Sequence, residues 1–392
     1  MTTERTYLKT HPWLTFKLNF QPIRYDTWIQ LGEAQSKCEH ISGIPIQPET
    51  AKKLYNIYLA KGVLATTAIE GNTLSEEDAL RRIEGTLKLP PSQEYLGKEI
   101  DNIVKACNIM KQRILDGCST EVDVNEIKEF NKLILDGLEL NEGVVPGEIR
   151  KHSVGVGPYR GAPAEDCEYL LNRYVDWLNK ELVPFDGNVT AFNIIKAIAA
   201  HVYFTWIHPF GDGNGRTARL IELKILMSAG VPIPATQLLT NHYNLTRQEY
   251  YRHLDISSKN GGDLIPFIKY AIQGYVDGLR EQLGKIRQQQ FKVTWENYVH
   301  EHFKDQDTPT DIRRRHLVLD LSRQNNNAAV PIAKISEISH RITIHYVGKT
   351  KKTVMRDINF LEKAQLITKT GRGMVRAKTE VIEAFLSPCR KD

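Results

Sequence analysis

The sequence predicts a mainly α protein: a helical bundle carrying one β-hairpin flap, followed by a C-terminal winged helix-turn-helix domain. Three observations lead there. Apolar residues recur at helical spacing through much of residues 50–285, one glycine-rich stretch at 146–163 interrupts them, and the composition turns polar and then basic beyond residue 285. The 392 residues suit two or three domains, at roughly 100–200 residues each. The boundaries expected are 1–48 for an N-terminal segment packed on the core, 49–284 for the main domain and 285–392 for a smaller one.

In the first segment Pro12, Pro22 and Pro45 stand among Trp13, Phe16, Phe20, Tyr25 and Trp28, too many bulky side chains for a free tail. From Thr50 to Ile69, Leu54, Ile57, Tyr58, Val63 and Leu64 follow helical spacing up to a stop at Gly71 and Asn72. Ser75, Glu76, Glu77 and Asp78 then make an N-cap with acids in the first turn, which suit the positive end of a helix reaching about Gly85. Further helices are expected over 93–116, 123–138, 167–182 and 189–207, the last apolar nearly all round and therefore buried. Gly147, Gly155, Gly157 and Gly161, the alternation from Ser153 to Val156 and the Gly157-Pro158 turn signal predict the hairpin at 146–163. Helices follow from about Asn214 to a stop at Gly230 and Pro232, and from Leu264 onward.

The smaller domain is set apart by charge. Lys and Arg number 52 against 47 acids, a net +5, too little to make the whole chain a polycation. Between Arg341 and Lys378, however, ten basic residues face two acids, a local +8. Helices at Ile332–His340 and Lys349–Ala364 and a turn at Gly371–Gly373 outline the winged fold. Val354, Ile358 and Leu361 would face its core, with Lys351, Lys352 and Arg356 outward. Such a layout suits duplex DNA, contacted through residues 340–378; a winged fold that binds protein is the alternative. A second copy of the chain is a further candidate partner. Cys38, Cys107, Cys118, Cys167 and Cys389 are scattered and odd in number, which fits reduced thiols rather than disulfides or a zinc site. With no run of about 18 apolar residues and no signal-peptide pattern, no membrane association is expected, and the location expected is cytoplasmic.

The chemistry concentrates at residues 208–219, His-Pro-Phe-Gly-Asp-Gly-Asn-Gly-Arg-Thr-Ala-Arg. A glycine-flanked loop runs from a buried helix into a second one, so N–H groups at the second helix's start face the loop, while Gly213 and Gly215 allow close approach of an anion. Arg216 and Arg219, three apart, would share a face and reach a polyphosphate. Asp212 offers one carboxylate to a phosphate-bridging Mg²⁺, and His208 is placed to take a proton. Singly, each has a plain reading: a structural His, an Asp-Gly turn, a solvated arginine face. Eight specified residues in a twelve-residue window do not arise together by chance.

The pattern His208-x-Phe210-x-Asp212-Gly213-Asn214-Gly215-Arg216-x-x-Arg219 resembles the signature of the Fic family, and the resemblance covers about residues 40–280. It implies a Fic-type helical bundle that transfers AMP from ATP to a Tyr, Thr or Ser hydroxyl of a target protein. His208 would be the general base, Asp212 the Mg²⁺ ligand, Asn214 with the backbone of Gly213 and Gly215 the phosphate cradle, and Arg216 and Arg219 the grip on the outer phosphates. Phe210 would anchor the core, and Tyr250 and Tyr251 are candidates for the adenine pocket. The flap would offer a strand edge to the target. A kinase-like offshoot departs from this motif at its second glycine, which Gly215 keeps, so phosphorylation is the lesser alternative. Thr66-Thr-Ala-Ile-Glu70-Gly71-Asn72 resembles the family's inhibitory motif, with Glu70 expected to pair with Arg219. A DNA-bound regulator whose Fic-like domain senses nucleotide is the alternative from another class.

Overall fold

In this computed structural model the chain falls into two units, residues 1–283 and 284–392. The structure describes residues 5–45, 48–157, 159–184, 187–324, 327–371 and 373–383. In the first unit α1 (Tyr7–Thr10) and α2 (Tyr25–Ser42) precede α3 (Pro48–Ile69), α4 (Glu76–Ile83), α5 (Glu94–Leu115) and α6 (Val124–Leu135). The hairpin β1 (Gly155–Val156) and β2 (Tyr159–Arg160) leads to α7 (Cys167–Asp176), α8 (Val189–Ile207) and α9 (Asn214–Ser228). Then come α10 (Ile233–Thr236), α11 (Leu238–Leu245), α12 (Arg247–Lys259) and α13 (Ile265–His302), within which the division between units falls.

Helix α8 organises the first unit. Ile194, Ile195, Ile198, Val202, Phe204 and Ile207 are all buried, so the helix has almost no solvent face and packs against α2, α7 and α9. Each such side chain contributes about 1.5–3 kcal/mol of burial. Helix α3 lies against α4, α5, α9 and α11, which brings its C-terminal end to the start of α9. Ahead of α4, the Ser75 hydroxyl accepts from the Asp78 N–H while the Asp78 carboxylate accepts from the Ser75 N–H. Such a capping box is worth about 1 kcal/mol.

The N-terminal segment holds more order than its sequence pattern suggests. Leu14 and Phe16 are buried, and the Phe16 ring sits 5.3 Å from Tyr203 and 5.9 Å from Trp177. Helix α2 spans eighteen residues where no helix was expected. Its buried stripe is Thr27, Leu31, Ala34, Cys38 and Ile41, too small and mixed for a visible apolar period. The helix expected over 167–182 changes to π geometry at Trp177–Glu181. Cys38, Cys107 and Cys167 are buried free thiols, Cys118 is an exposed one, and Cys389 lies outside the described residues. No helix among the described residues is long and apolar enough to cross a membrane.

The second unit packs α14 (Pro309–Ser322), α15 (His340–Tyr346) and α16 (Lys351–Lys363) around Leu317, Leu321, Ile342, Ile358 and Leu361. Strands β3 (Val330–Pro331), β4 (Ile367–Thr370) and β5 (Met374–Ala377) form an antiparallel sheet in the order β3-β5-β4, with Thr370 paired to Met374. The helix expected at Ile332–His340 is replaced by a 3₁₀ segment at Ile332–Glu337 followed by α15. Ser339 accounts for the difference, because its hydroxyl accepts from the Ile342 N–H and so starts a helix where one was expected to end.

Candidate active site

Helix α8 stops at Ile207, and His208 takes a left-handed conformation with φ of +53°. That turn aims the imidazole into a cavity of about 510 Å³ lined by the flap, residues 211–215, Glu70, Arg219 and α12 residues between Tyr250 and Lys259. The His208 Nδ1 lies 3.2 Å from the Thr205 carbonyl. A carbonyl only accepts, so this contact places the proton on Nδ1 and leaves the Nε2 lone pair available. Burial pushes the imidazole down to about 4, with the charge of Arg150 adding to it and the Thr205 carbonyl, Glu70 and Asp212 opposing it. The ring is therefore neutral near pH 7.

The loop beyond His208 is fixed from within. Phe210 is fully buried and pairs with Ile149 as an isolated bridge. Asn214 spends its side chain on that loop: Nδ2 donates to the Phe210 carbonyl at 2.8 Å and Oδ1 accepts from the Phe210 N–H at 2.9 Å. One N–H of that amide is thus spent on the loop, and a second remains on a residue that lines the cavity. Backbone at the start of α9 faces the same space, where Gly213 has φ of +74° and Gly213, Asn214 and Gly215 line the cavity. Asn131 braces the turn, its Nδ2 donating to the Asp212 carbonyl and its Oδ1 accepting from the Gly147 N–H, each at 2.9 Å.

A carboxylate already sits at that helix start. Glu70, just past the end of α3, places Oε1 2.6 Å from the Arg219 Nη2, and a Cβ on Gly215 would collide with that same oxygen. Arg219 is held from the other side by Thr66, whose hydroxyl accepts from Nε at 2.6 Å and whose carbonyl accepts from Nη2 at 3.0 Å. Burial works against the Glu70 charge, but the Arg219 guanidinium, helped by Arg216 and His208, brings the carboxyl below its usual value.

The two arginines take different partners. Arg216 turns away to Glu99 on α5, at 3.1 Å, and to Asp212, at 3.4 Å, and does not line the cavity. Positions three apart on a helix differ by about 60° in direction, and the Glu99 carboxylate takes up that difference. Asp212 lines the cavity with its side chain 44% exposed and accepts from the Gly213 N–H. Among the described residues no group of three His, Cys, Asp or Glu could hold a metal ion. One exposed carboxylate beside an anion cradle fits Mg²⁺, which keeps several waters and takes its other ligands from phosphates.

Tyr250 and Tyr251 both line the cavity, but differently. Tyr251 is 38% exposed, whereas Tyr250 is buried with its hydroxyl 2.9 Å from the His201 Nε2. Tyr250 belongs to a polar cluster beneath Arg219 that sequence reasoning missed, in which the Tyr243 hydroxyl donates to Glu222 Oε2 at 3.3 Å and His201 Nδ1 lies 3.4 Å from it. Burial raises the Glu222 carboxyl to about 8 and pushes His201 well down, so both are mainly neutral at pH 7. The cluster thus leaves the Arg219 charge for the cavity. Arg150 was also missed; only its place between Gly147 and Gly155 of the predicted hairpin hinted at a role.

With this geometry in view, comparison with known proteins is informative. The family model described as Fic/DOC family matches residues 121–226. Protein adenylyltransferase fic-1 of Caenorhabditis elegans is 31% identical over 228 residues, 57% of this chain and 41% of that protein. Protein adenylyltransferase Fic of Drosophila willistoni is 31% identical over 218 residues, 55% and 38% of the two chains. The chain therefore spans about two-fifths of the length of these curated relatives. Among solved structures, a Fic family protein from Desulfovibrio desulfuricans has the same fold at a TM-score of 0.57 and 20% identity, covering 92% of this chain and 98% of that one. A fragment of C. elegans Fic-1 superposes at 0.53 with 25% identity, covering 67% and 74%.

Proposed function

We propose that this chain acts as a Fic-type protein and transfers AMP from ATP to a Tyr, Thr or Ser hydroxyl of a target protein. The observation that supports this most directly is the joint lining of one cavity by a neutral His208 imidazole, the N-terminal end of α9 and the buried Arg219 guanidinium. Phosphoryl-type transfer asks a protein for positioning, charge stabilisation and a base that is unprotonated at the working pH. The target oxygen attacks the α-phosphorus, the bond to the bridging oxygen breaks, and pyrophosphate leaves. His208 Nε2 accepts the hydroxyl proton. The α9 backbone N–H groups hold phosphate oxygens, Arg219 holds the outer phosphate, and Asp212 would carry Mg²⁺, which neutralises phosphate charge. Tyr251 and the ring of Tyr250 would border the base, and the flap, with Val154 and Val156 on the cavity wall, would receive the target's backbone.

Labelled ATP separates this reading from its alternatives. Incubating Glu70→Gly protein and cell lysate with ATP labelled at the α-phosphate is expected to label protein bands, while γ-labelled ATP leaves them unlabelled. Label from the γ-position alone would mean phosphorylation. No label from either position, with ATP binding intact, would support the nucleotide-sensing regulator.

A second partner reading is favoured by one feature of the smaller unit, which we take as a winged helix. Lys351, Lys352 and Arg356 are exposed on α16, a disposition that suits phosphate contacts. The local excess of charge is smaller in effect than its count, because Arg341 pairs with Asp320, Lys369 with Glu362 and Arg376 with Glu380. Arg372, at the turn of the expected wing, lies outside the described residues. The full chain is expected to bind duplex DNA weakly with a steep loss on added salt, and Lys351→Glu with Lys352→Glu to abolish it. Equal binding by parent and variant in an electrophoretic shift assay at low salt rejects this face as the contact.

A further inference from the structure

Arg150 is 4% exposed, and no carboxylate among the described residues pairs with it. Its guanidinium instead serves three backbone carbonyls from three places. Nε donates to the His208 carbonyl at 2.7 Å, Nη1 to the His152 carbonyl at 2.7 Å, and Nη2 to the Ala162 carbonyl. His152 lies where the chain enters the flap and Ala162 where it leaves, so one planar group ties both ends of the flap to the residue that carries the imidazole.

The backbone around it is arranged to the same end. The Arg150 N–H donates to the Pro209 carbonyl at 3.0 Å, and the Ala162 N–H to the Ile207 carbonyl at 3.2 Å. These bonds bracket His208, a non-glycine residue in a left-handed conformation that costs free energy and persists only where its surroundings over-determine it. Gly161 completes the contact: a Cβ there would fall 2.8 Å from the His208 Cβ and 2.9 Å from the Arg150 Nη2. Arg150 does not line the cavity, so it is not placed to touch nucleotide.

We propose that Arg150 is a positioning residue that holds the His208 backbone in its left-handed turn and locks both ends of the flap to it, so that base and target-docking strand keep one fixed geometry. This rests on the reading of His208 as the base and of the flap as the target's seat. A lysine cannot replace it, because an ammonium lacks the planar fork that spans separated carbonyls. A methionine removes donors and charge together.

The test compares Arg150→Lys and Arg150→Met, each in the full chain with Glu70→Gly. Both are expected to lose about a hundredfold or more in kcat for AMP transfer, the scale of a misplaced reacting group, with the Kd for ATP held within about threefold. In pH-rate profiles of kcat/KM the acid limb of the Lys variant stays with the parent's, since a positive charge remains; in the Met variant it moves up, since the charge that helps hold His208 low is gone. Amide hydrogen exchange gives a readout independent of transfer: Gly161 and Ala162 should exchange at least about tenfold faster in both variants, with the amides of α8 unchanged. Parent-like exchange there, or kcat within about threefold of the parent, overturns the proposal. So does loss of ATP affinity together with kcat in both variants, which would make Arg150 a general structural residue. If Glu70→Gly alone transfers nothing, the functional reading fails instead, and exchange at Gly161 and Ala162 still decides the role of Arg150.

Discussion

His208→Ala is expected to lower AMP transfer by about 10²–10⁴-fold, the usual worth of a positioned general base, while ATP affinity changes little. The imidazole is directed by its own tautomer. With Nδ1 committed to the Thr205 carbonyl, Nε2 is the nitrogen left to act, and in the proposed reading it would act on the target hydroxyl rather than on phosphate. The loss should therefore fall on kcat, measured in the Glu70→Gly background so that a rate exists to lose, with the Kd for ATP taken separately by calorimetry. Transfer retained by His208→Ala would remove the assigned role.

The same residue has a signature in stability. Its value in the fold is about 4 against an ordinary 6.5, so folding favours the neutral ring. This contribution is complete above about pH 6.5 and is lost as pH falls from there toward about 4, where the folded protein must bury a charge. His208→Ala removes that loss, so its melting temperature should fall less steeply than the parent's across this window. Parallel curves would mean the ring is solvated in solution.

The site was more legible in the sequence than the frame that holds it, and the reason is physical. A loop that must admit an anion constrains residue type position by position, so glycine, Asp212, His208 and Arg219 stand out in a single window. Residues that hold backbone in place carry no such signature. Arg150 acts on three carbonyls, and a carbonyl looks the same whatever residue bears it. Asn214 was legible as part of the motif, but its bonds to the Phe210 backbone were not, because an amide that binds phosphate and one that closes a loop are the same amide. The ion pair of Arg216 was not legible, since helical spacing says which side chains are near each other, not that Glu99, distant in sequence on α5, would meet one of them. In the frame, α8 was plain because it is apolar all round, whereas α2 was hidden because Thr27, Ala34 and Cys38 form its buried stripe. Ser339 shows the limit at helix ends: a cap residue marks a boundary, but only the folded chain says which side of it is helical.

Glu70→Gly is expected to raise transfer to target, or automodification, by about a hundredfold, the factor that one preorganised charged contact commonly contributes. The carboxylate does two things at once. It neutralises Arg219 at 2.6 Å, and it lies over Gly215, where the α9 N-terminus would otherwise receive phosphate. In the proposed reading, ATP would still bind through its base and inner phosphates with Glu70 in place, but its outer phosphate would meet a negative charge where it needs a positive one, leaving the α-phosphorus misaligned for attack. Removing the side chain leaves Arg219 still held by the Thr66 hydroxyl and carbonyl, and so already aimed at the cavity. Arg219→Ala should therefore stay inactive alone and with Glu70→Gly, a non-additive pair, since the group being released is itself gone. Arg219 holds the Glu70 carboxyl below its usual value, so mild acid is not expected to substitute for the mutation, and release of the pair would come from movement of the α3 end. If wild type and Glu70→Gly label equally, in lysate and in isolation, the pair with Arg219 is only structural and control lies elsewhere.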